Sequence, residues 1–305
     1  MRILVLEHAA EAYREYLDDL RDEITYTTRA VAAEDEYDVL LAMPDLAAEY
    51  LSRGGRADWI QSTWAGVGPL ARTELPGHAR VTGVKGVFGG QIAEYVFTYV
   101  LEEIRQPERL RQAQHHKRWQ PQWPGTLRDR HMVIVGTGSI GRHIATVAHA
   151  FGMQTTGISK HGVPAEPFTT VATLTHWAAH LETADYVVVV LPDTPETKKI
   201  IDAEALGLMA REPMLINVGR GTSVDEGALC HALRAEQIRA AILDVFTDEP
   251  LPEESPLWQA PGVTITPHIA AVSHPADIAA VFRSNLERFR LGEPLEHVID
   301  LARGY

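Results

Sequence analysis

The nonapeptide Val133-Ile134-Val135-Gly136-Thr137-Gly138-Ser139-Ile140-Gly141 decides the predicted fold of this 305-residue chain. It places G-x-G-x-x-G between a short apolar strand and the start of a helix. In that position the first glycine makes a tight turn, the second lets backbone approach a pyrophosphate, and the third lets helix pack on strand. The helix N-terminus adds unpaired N–H groups and a positive dipole end. The six residues Gly136 to Gly141 are therefore candidate dinucleotide contacts; the alternative is a glycine-rich turn without a ligand.

Strand-like and helix-like stretches alternate on both sides of this motif, which predicts an α/β fold with parallel sheets. Six strands are expected in the second half of the chain, as in a doubly wound nucleotide-binding sheet: 132–135, 155–159, 186–191, 214–218, 241–245 and 263–266. The first half predicts five short strands, a helix near 10–20 and one long helix from Gln91 to about His116. The last predicted helix covers about 275–291.

The expected architecture is two doubly wound parallel-sheet domains with the active site in the cleft between them. A flavodoxin-like substrate domain would comprise residues 1–95 and 276–305, because the simplest packing returns the last helix to the first domain. A Rossmann cofactor domain would comprise residues 96–275.

Composition favours an ordinary soluble protein, with 45% hydrophobic and 23% charged residues. The longest apolar runs are far shorter than the roughly 20 residues that a bilayer requires, so no membrane association is expected. The N-terminus reads as a strand and lacks the features of a signal peptide. Because Cys230 is the single cysteine, an internal disulfide is excluded, and we expect a cytoplasmic protein.

The charge balance argues against a nucleic-acid partner, since the formal net charge is −13 and phosphate backbones need a basic face. The 14 histidines do not form a recognisable metal motif: His115 and His116 are adjacent, and no H-E-x-x-H or Cys/His ligand spacing occurs. We therefore expect no metal site.

The end of the second strand in this half of the chain indicates which dinucleotide is used. An NAD-binding protein usually places Asp or Glu here to hold the ribose 2′-hydroxyl, but this strand ends in Ser159-Lys160. A serine can donate to a 2′-phosphate, and a lysine supplies a countercharge. We expect NADP(H) to be preferred and NAD(H) to be possible. The alternative is that Lys160 is an ordinary solvated lysine.

Three polar residues, Arg220, Glu249 and His268, stand near the ends of late strands, where open α/β sheets bind ligands. A guanidinium can fork onto a carboxylate, and the glycines beside Arg220 leave room for a ligand. Histidine suits proton transfer near neutral pH, and a carboxylate neighbour raises the pKa of a histidine and orients its ring. Singly, each residue has a structural explanation; together, after a dinucleotide motif, they predict reduction of a 2-oxo acid.

These motifs resemble those of the D-isomer-specific 2-hydroxyacid dehydrogenase family over nearly the whole chain. They are G-T-G-S-I-G (136–141), L-P-D-T-P-E-T (191–197), N-V-G-R-G (217–221), D-V-F-T-D-E-P (244–250) and P-H-I-A (267–270). The resemblance implies that Arg220 binds and polarises the substrate, that Glu249 tunes the histidine, and that His268 donates the proton. It also implies a homodimer and further cofactor contacts at Leu191, Pro192, Thr197, Val218, Gly219, Arg220, Asp244, His268 and Ala270.

Within this family the chain is most similar to the glyoxylate/hydroxypyruvate reductase A type. The similar segments are Q-S-T-W-A-G-V (61–67), G-G-Q-I-A-E-Y (89–95) and the Ser-Lys strand end. The first resembles the family's substrate loop, in which backbone N–H groups at Gly66 and Val67 would hold the carboxylate, next to Ala65. Trp64 is either a wall of the substrate pocket or an ordinary buried tryptophan.

The expected activity is therefore hydride transfer from NADPH to a small 2-oxo acid, such as glyoxylate or hydroxypyruvate. The product would be the 2-hydroxy acid, as the D-isomer where it is chiral. A hypothesis from another class is an NAD(H)-binding corepressor that uses the same fold without turnover, since fold alone does not determine function. The basic strand end favours the enzyme.

Overall fold

Two parallel β-sheets organise the chain in a computed structural model that describes residues 1–29, 36–75, 77–121 and 123–301. The strands are β1 (Ile3–Leu6), β2 (Ile24–Thr27), β3 (Val39–Ala42), β4 (Trp59–Ser62), β5 (Arg80–Thr82), β6 (His131–Val135), β7 (Gln154–Ile158), β8 (Thr170–Ala172), β9 (Tyr186–Val189), β10 (Glu212–Asn217), β11 (Ile238–Leu243) and β12 (Val263–Ile265). The chain divides into two compact units: unit 1 comprises Met1–Val87 and Ser273–Tyr305, and unit 2 comprises Phe88–Val272.

Helices connect most of the strands. The α-helices are α1 (Arg14–Leu17), α2 (Pro44–Ser52), α3 (Gly68–Ala71), α4 (Gly89–Arg105), α5 (Pro107–His115), α6 (Ser139–Ala150), α7 (Ala178–Glu182), α8 (Ala203–Gly207), α9 (Glu226–Arg234) and α10 (Pro275–Leu291). Short 3₁₀ segments cover Ala10–Tyr13, Asp18–Leu20, Leu174–His176, Gly221–Ser223 and Pro256–Gln259. Among the described residues, no helix is both long and apolar enough to cross a membrane.

Unit 1 contains the five-stranded sheet, in the order β2-β1-β3-β4-β5. Its neighbouring strands are parallel, and β1, β3 and β4 are buried along their whole length, as expected where helices cover both faces of a sheet. Helix α10 packs on this sheet, because the Phe282 ring stacks on Trp59 with a centroid distance of 5.3 Å. This order and the all-parallel pairing confirm the predicted doubly wound fold.

Unit 2 contains the seven-stranded parallel sheet, in the order β12-β11-β10-β9-β6-β7-β8. The direction in which strands are added reverses between β6 and β9, which are paired side by side from Met132 opposite Tyr186. In open α/β sheets the ligand crevice lies outside the carboxyl ends of the strands at such a reversal. The sheet therefore predicts a ligand site at the ends of β6 and β9.

Two features of unit 2 differ from the sequence-based expectation. The expected helix from Gln91 to His116 is two helices, because Pro107 has no N–H to continue α4, and Gln106 adopts a left-handed conformation with φ 49°. The sheet also has a seventh strand, β8, at its edge.

Near the N-terminus, in unit 1, the helix expected over 10–20 is a single turn of α-helix, α1, between two 3₁₀ segments.

Candidate active site

The sequence-predicted residues of unit 2 follow the carboxyl ends of neighbouring strands. Because those strands are parallel and adjacent in the sheet, their ends meet along one edge. The residues concerned are Gly136 to Gly141 after β6, Ser159 and Lys160 after β7, Leu191, Pro192 and Thr197 after β9, Val218, Gly219 and Arg220 after β10, Asp244 and Glu249 after β11, and His268 and Ala270 after β12. The structure thus places residues from six separate parts of the chain along one edge of the sheet.

The glycine-rich loop has the shape that a dinucleotide pyrophosphate requires. Gly136 has φ 120°, and a Cβ there would lie 2.4 Å from the Val190 carbonyl oxygen. A Cβ on Gly141 would lie 2.0 Å from the Gly136 oxygen, so a side chain would separate α6 from β6. At Gly138, by contrast, a Cβ would meet nothing within 4 Å in the described part of the chain. The backbone at Gly138 is therefore open to a phosphate beside the start of α6, and the loop fits the cofactor.

One basic side chain near this loop was not singled out from the sequence. Arg142, in the first turns of α6, donates from Nε to the Thr137 carbonyl oxygen at 3.2 Å, so its side chain lies back over the loop. Its position directly after Gly141 is visible in the sequence, but the direction of the side chain is not.

The strand end that indicates the dinucleotide type is partly ordered by its own side chain. Ser159 Oγ accepts from the Gly162 N–H at 3.1 Å, while Lys160 is exposed. Since Oγ accepts in this bond, its own O–H remains to donate. The turn after β7 therefore presents a hydroxyl donor and a cation.

The loop after β9 is braced by Thr197. Its Oγ1 donates to the Pro192 carbonyl oxygen at 2.7 Å and accepts from the Thr194 N–H at 3.0 Å. These bonds fold the segment 192–197 onto itself. Asp193 in this loop accepts from Thr222 Oγ1 at 2.7 Å, and so ties the ends of β9 and β10 together.

Arg220 stands between two glycines that have no room for side chains. A Cβ on Gly219 would lie 2.6 Å from the Leu191 nitrogen, and one on Gly221 would lie 1.8 Å from the Phe246 carbonyl carbon. Arg220 Nη1 donates to the Gly219 carbonyl oxygen at 2.6 Å. Burial lowers the pKa of Arg220 from its ordinary value, while the charges of Glu249 and Asp193 oppose that change. The guanidinium is thus held in partly desolvated surroundings, where it interacts with the charges of two carboxylates. Asp193 was missed from the sequence because nothing local relates it to Arg220.

His268 and Glu249 form a hydrogen-bonded pair, although 19 positions separate them in the sequence. His268 Nδ1 lies 2.8 Å from Glu249 Oε2, and Glu249 Oε1 accepts from the Phe246 N–H at 2.9 Å. Burial raises the pKa of Glu249, but its hydrogen bonds to His268 and Phe246 and the charges of His268 and Arg220 outweigh burial. The pKa of Glu249 is therefore below its ordinary value. The carboxylate remains ionised and orients the imidazole, leaving Nε2 on its other side.

Asp244 organises the turn that carries His268. Its buried carboxylate accepts from the N–H groups of Ile269 and Ala270, both at 2.9 Å, and its carbonyl oxygen accepts from the His268 N–H at 2.9 Å. His268 has φ 55°, a left-handed conformation that side chains seldom adopt. Such a conformation persists where surrounding bonds determine it. Asp244, expected from the resemblance as a cofactor contact, thus also shapes the backbone at His268.

Two hydrogen bonds of Thr63 fix the start of the loop 64–67 in unit 1. Thr63 Oγ1 donates to the buried Glu7 carboxylate at 2.6 Å, and Ser273 Oγ donates to the Thr63 carbonyl oxygen at 2.6 Å. Trp64 is 38% exposed, which separates it from an ordinary core tryptophan. Across the described ranges, the N–H groups of Gly66 and Val67 have no protein acceptor. Glu7 and Ser273 were missed from the sequence, since they are remote in the chain.

In residues 1–29, 36–75, 77–121 and 123–301, no group of three or more His, Cys, Asp or Glu side chains is placed to hold a metal ion.

Known proteins share both the sequence pattern and the architecture. Residues 97–270 match the family described as D-isomer specific 2-hydroxyacid dehydrogenase, NAD binding domain. Glyoxylate/hydroxypyruvate reductase A of Serratia proteamaculans is 33% identical over 241 residues, which are 79% of this chain and 74% of that protein.

Two crystal structures match essentially the full length. One is a D-isomer specific 2-hydroxyacid dehydrogenase family protein of Aeromonas salmonicida, with a TM-score of 0.89 and 36% identity over 98% of this chain and 99% of that one. The other is an NADPH-dependent glyoxylate/hydroxypyruvate reductase of Sinorhizobium meliloti in complex with NADP and sulfate, with a TM-score of 0.85 and 25% identity over 100% of both chains. With its glycine-rich loop and its His–Glu pair at the sheet edge, the chain belongs to the D-isomer specific 2-hydroxyacid dehydrogenase family and is an NAD(P)-dependent oxidoreductase.

Proposed function

We propose that this enzyme reduces a small 2-oxo acid, of the size of glyoxylate or hydroxypyruvate, to the 2-hydroxy acid with NADPH. The proposal rests mainly on the hydrogen bond between His268 and Glu249, whose atoms lie 2.8 Å apart. The positive charge of Arg220 also lowers the pKa of the Glu249 carboxylate. A proton donor and a cation of this kind are what reduction of a carbonyl beside a carboxylate needs. The relatives named glyoxylate/hydroxypyruvate reductase support this substrate class.

The cofactor, when bound, supplies the hydride that adds to the carbonyl carbon. Arg220 binds the substrate carboxylate and the carbonyl oxygen, so its positive charge stabilises the negative charge that develops on that oxygen. His268 donates the proton from Nε2 to the same oxygen, which completes the hydroxyl group. Glu249 Oε2 accepts from Nδ1 and stabilises the protonated imidazole before this transfer.

We propose that unit 1 contributes to substrate binding through the loop 64–67. The N–H groups of Gly66 and Val67 are donors that a substrate carboxylate can satisfy, and Trp64 together with Ala65 limits the size of the side chain next to the carbonyl. Steady-state kcat/KM for glyoxylate, hydroxypyruvate, pyruvate and phenylpyruvate tests this substrate class. Absence of turnover with all four would contradict it.

The turn after β7 leads to a prediction about the cofactor. We expect kcat/KM with NADPH to exceed that with NADH by about tenfold or more, because hydrogen bonds to charged groups contribute about 1.5–3 kcal/mol each. Ser159→Asp should reverse the preference, since a carboxylate repels a 2′-phosphate and accepts from a 2′-hydroxyl. Ser159→Ala, which removes the hydroxyl without adding charge, should lower kcat/KM with NADPH without raising kcat/KM with NADH. A wild-type preference for NADH would contradict the assignment.

We also propose that the enzyme is a homodimer joined through an arm, which we define as α5 together with residues 116–121 and 123–125. Trp119 and Trp123 are each 96% exposed in this arm, and α5 has no buried residue. Residues 105–118 carry five Arg or Lys and one Glu, in a chain whose net charge is −13. A second copy, acidic elsewhere, is the partner that matches this basic aromatic surface.

The mass in solution tests this arrangement: we expect about twice the chain mass of 33.7 kDa. Trp119→Ser combined with Trp123→Ser should shift the protein towards the monomer. A wild-type protein that is monomeric at micromolar concentration would contradict the proposal.

We propose a cytoplasmic location, because a lone buried cysteine, Cys230, is suited to a reducing compartment.

A further inference from the structure

A series of hydrogen bonds through two hydroxyl groups connects helix α4 to the turn that contains His268. The Tyr95 hydroxyl on α4 lies 2.6 Å from Thr266 Oγ1, which in turn lies 2.6 Å from Asp244 Oδ1. The direction follows from counting protons. A carboxylate only accepts, so Thr266 donates its single proton to Asp244 and must accept from the Tyr95 O–H. The chain therefore runs from Tyr95 through Thr266 to the carboxylate of Asp244.

Two of the three residues in this series are shielded from water, since Thr266 is 9% exposed and Asp244 is 2% exposed. Tyr95 is half-buried. Burial raises the pKa of Tyr95 above its ordinary value, although the bond to Thr266 acts in the opposite direction, so Tyr95 keeps its proton at any working pH. Since water cannot readily replace a buried partner, loss of the Tyr95 hydroxyl would leave Thr266 without its donor.

The last acceptor in this series of hydrogen bonds is Asp244, the residue that also holds the backbone of residues 268–270. Asp244 accepts from Ile269 and Ala270, and its carbonyl oxygen accepts from His268. We propose that Tyr95 is a positioning residue for His268, acting through Thr266 and Asp244 on the left-handed turn that aims the imidazole. The inference rests on the proposed function, because it takes His268 as the proton donor. No substrate or cofactor contact is assigned to Tyr95.

The first test is Tyr95→Phe, with Tyr186→Phe as a matched control. Tyr186 also has a buried hydroxyl that bonds to α4, donating to Glu103 Oε2 at 2.9 Å, but it has no bond to the 266–270 turn. At saturating glyoxylate and NADPH, Tyr95→Phe should lower kcat about three- to tenfold, the effect of losing one hydrogen bond that acts in the transition state. Tyr186→Phe should keep the wild-type kcat even if both variants lower the thermal midpoint.

The second test asks whether Tyr95 acts through His268. In a His268→Ala background, Tyr95→Phe should reduce kcat no further, because the residue it positions is gone. Thr266→Val should reproduce the loss, whereas Thr266→Ser, which keeps the hydroxyl, should restore most of the activity.

A Tyr95→Phe enzyme with wild-type kcat overturns the inference. So does an equal loss of kcat in the wild-type and His268→Ala backgrounds, because Tyr95 would then act elsewhere. If instead His268→Ala itself retains near-normal turnover, the proposed function fails, and this outcome is distinguished from the others by the single variant alone.

Discussion

His268→Ala is expected to lower kcat for glyoxylate reduction by about 10²–10⁴-fold, the usual effect of losing a positioned general acid. The proton that completes the hydroxyl group would then have to come from water. Binding of NADPH, followed by fluorescence titration, should be largely kept, because the glycine-rich loop is unchanged. His231→Ala, which removes an exposed histidine of α9, is the matched control and should retain wild-type activity. An active His268→Ala enzyme with an unchanged pH–rate profile would show that the proton comes from elsewhere.

The hydrogen bond between Glu249 and His268 also predicts how kcat depends on pH. The lowered pKa of Glu249 means that this carboxylate stays ionised beside His268 throughout the working range and is protonated only below its ordinary pKa. Glu249→Gln keeps the shape and removes the charge that stabilises the protonated imidazole. We therefore expect the wild-type kcat to fall only at a pH below the ordinary pKa of a glutamate, where Glu249 becomes protonated, and we expect this acid-side fall to be absent in Glu249→Gln. An acid-side fall that persists unchanged in Glu249→Gln would mean that it comes from another group.

Arg220→Lys is expected to lower kcat/KM for glyoxylate by about 10²–10³-fold, the effect of removing a donor from a developing oxyanion. Lysine keeps the charge but loses the planar fork that can bind a carboxylate and a carbonyl together. The substitution should change the thermal midpoint little, because Arg220 makes its hydrogen bond to its own neighbour, Gly219. Arg211→Lys, at an exposed arginine near Asp185, is the control and should keep full activity.

The measurements that decide this prediction are kcat/KM and the thermal midpoint of the same preparation. A large loss of stability with near-normal turnover by the folded fraction would show that Arg220 is a structural residue. In that case the 2-oxo acid assignment would depend on family membership alone.

Local sequence was sufficient to predict two parallel sheets, although it missed the edge strand β8. A parallel strand buried on both faces needs a continuous apolar run, and a glycine-rich turn needs its glycines at fixed spacing, so β1, β6 and the loop 136–141 are visible in the chain itself. Helix breaks are weaker signals. The helix predicted from Gln91 to His116 ends at Arg105, because Pro107 has no N–H to continue α4 and Gln106 adopts a left-handed conformation.

The candidate site was predicted only where a strand end or a family motif marks it. Arg220, Glu249 and His268 each stand in a recognisable motif. The sequence did not show that Asp193 ties β9 to β10, or that Tyr95 reaches Thr266 across 171 positions. Hydrogen bonds between remote side chains depend on strand order and on helix placement, which no local period encodes. Local chemistry by itself determined the elements and their glycines; only the tertiary structure decided which side chains meet, because parallel strands bring together residues that the chain keeps far apart.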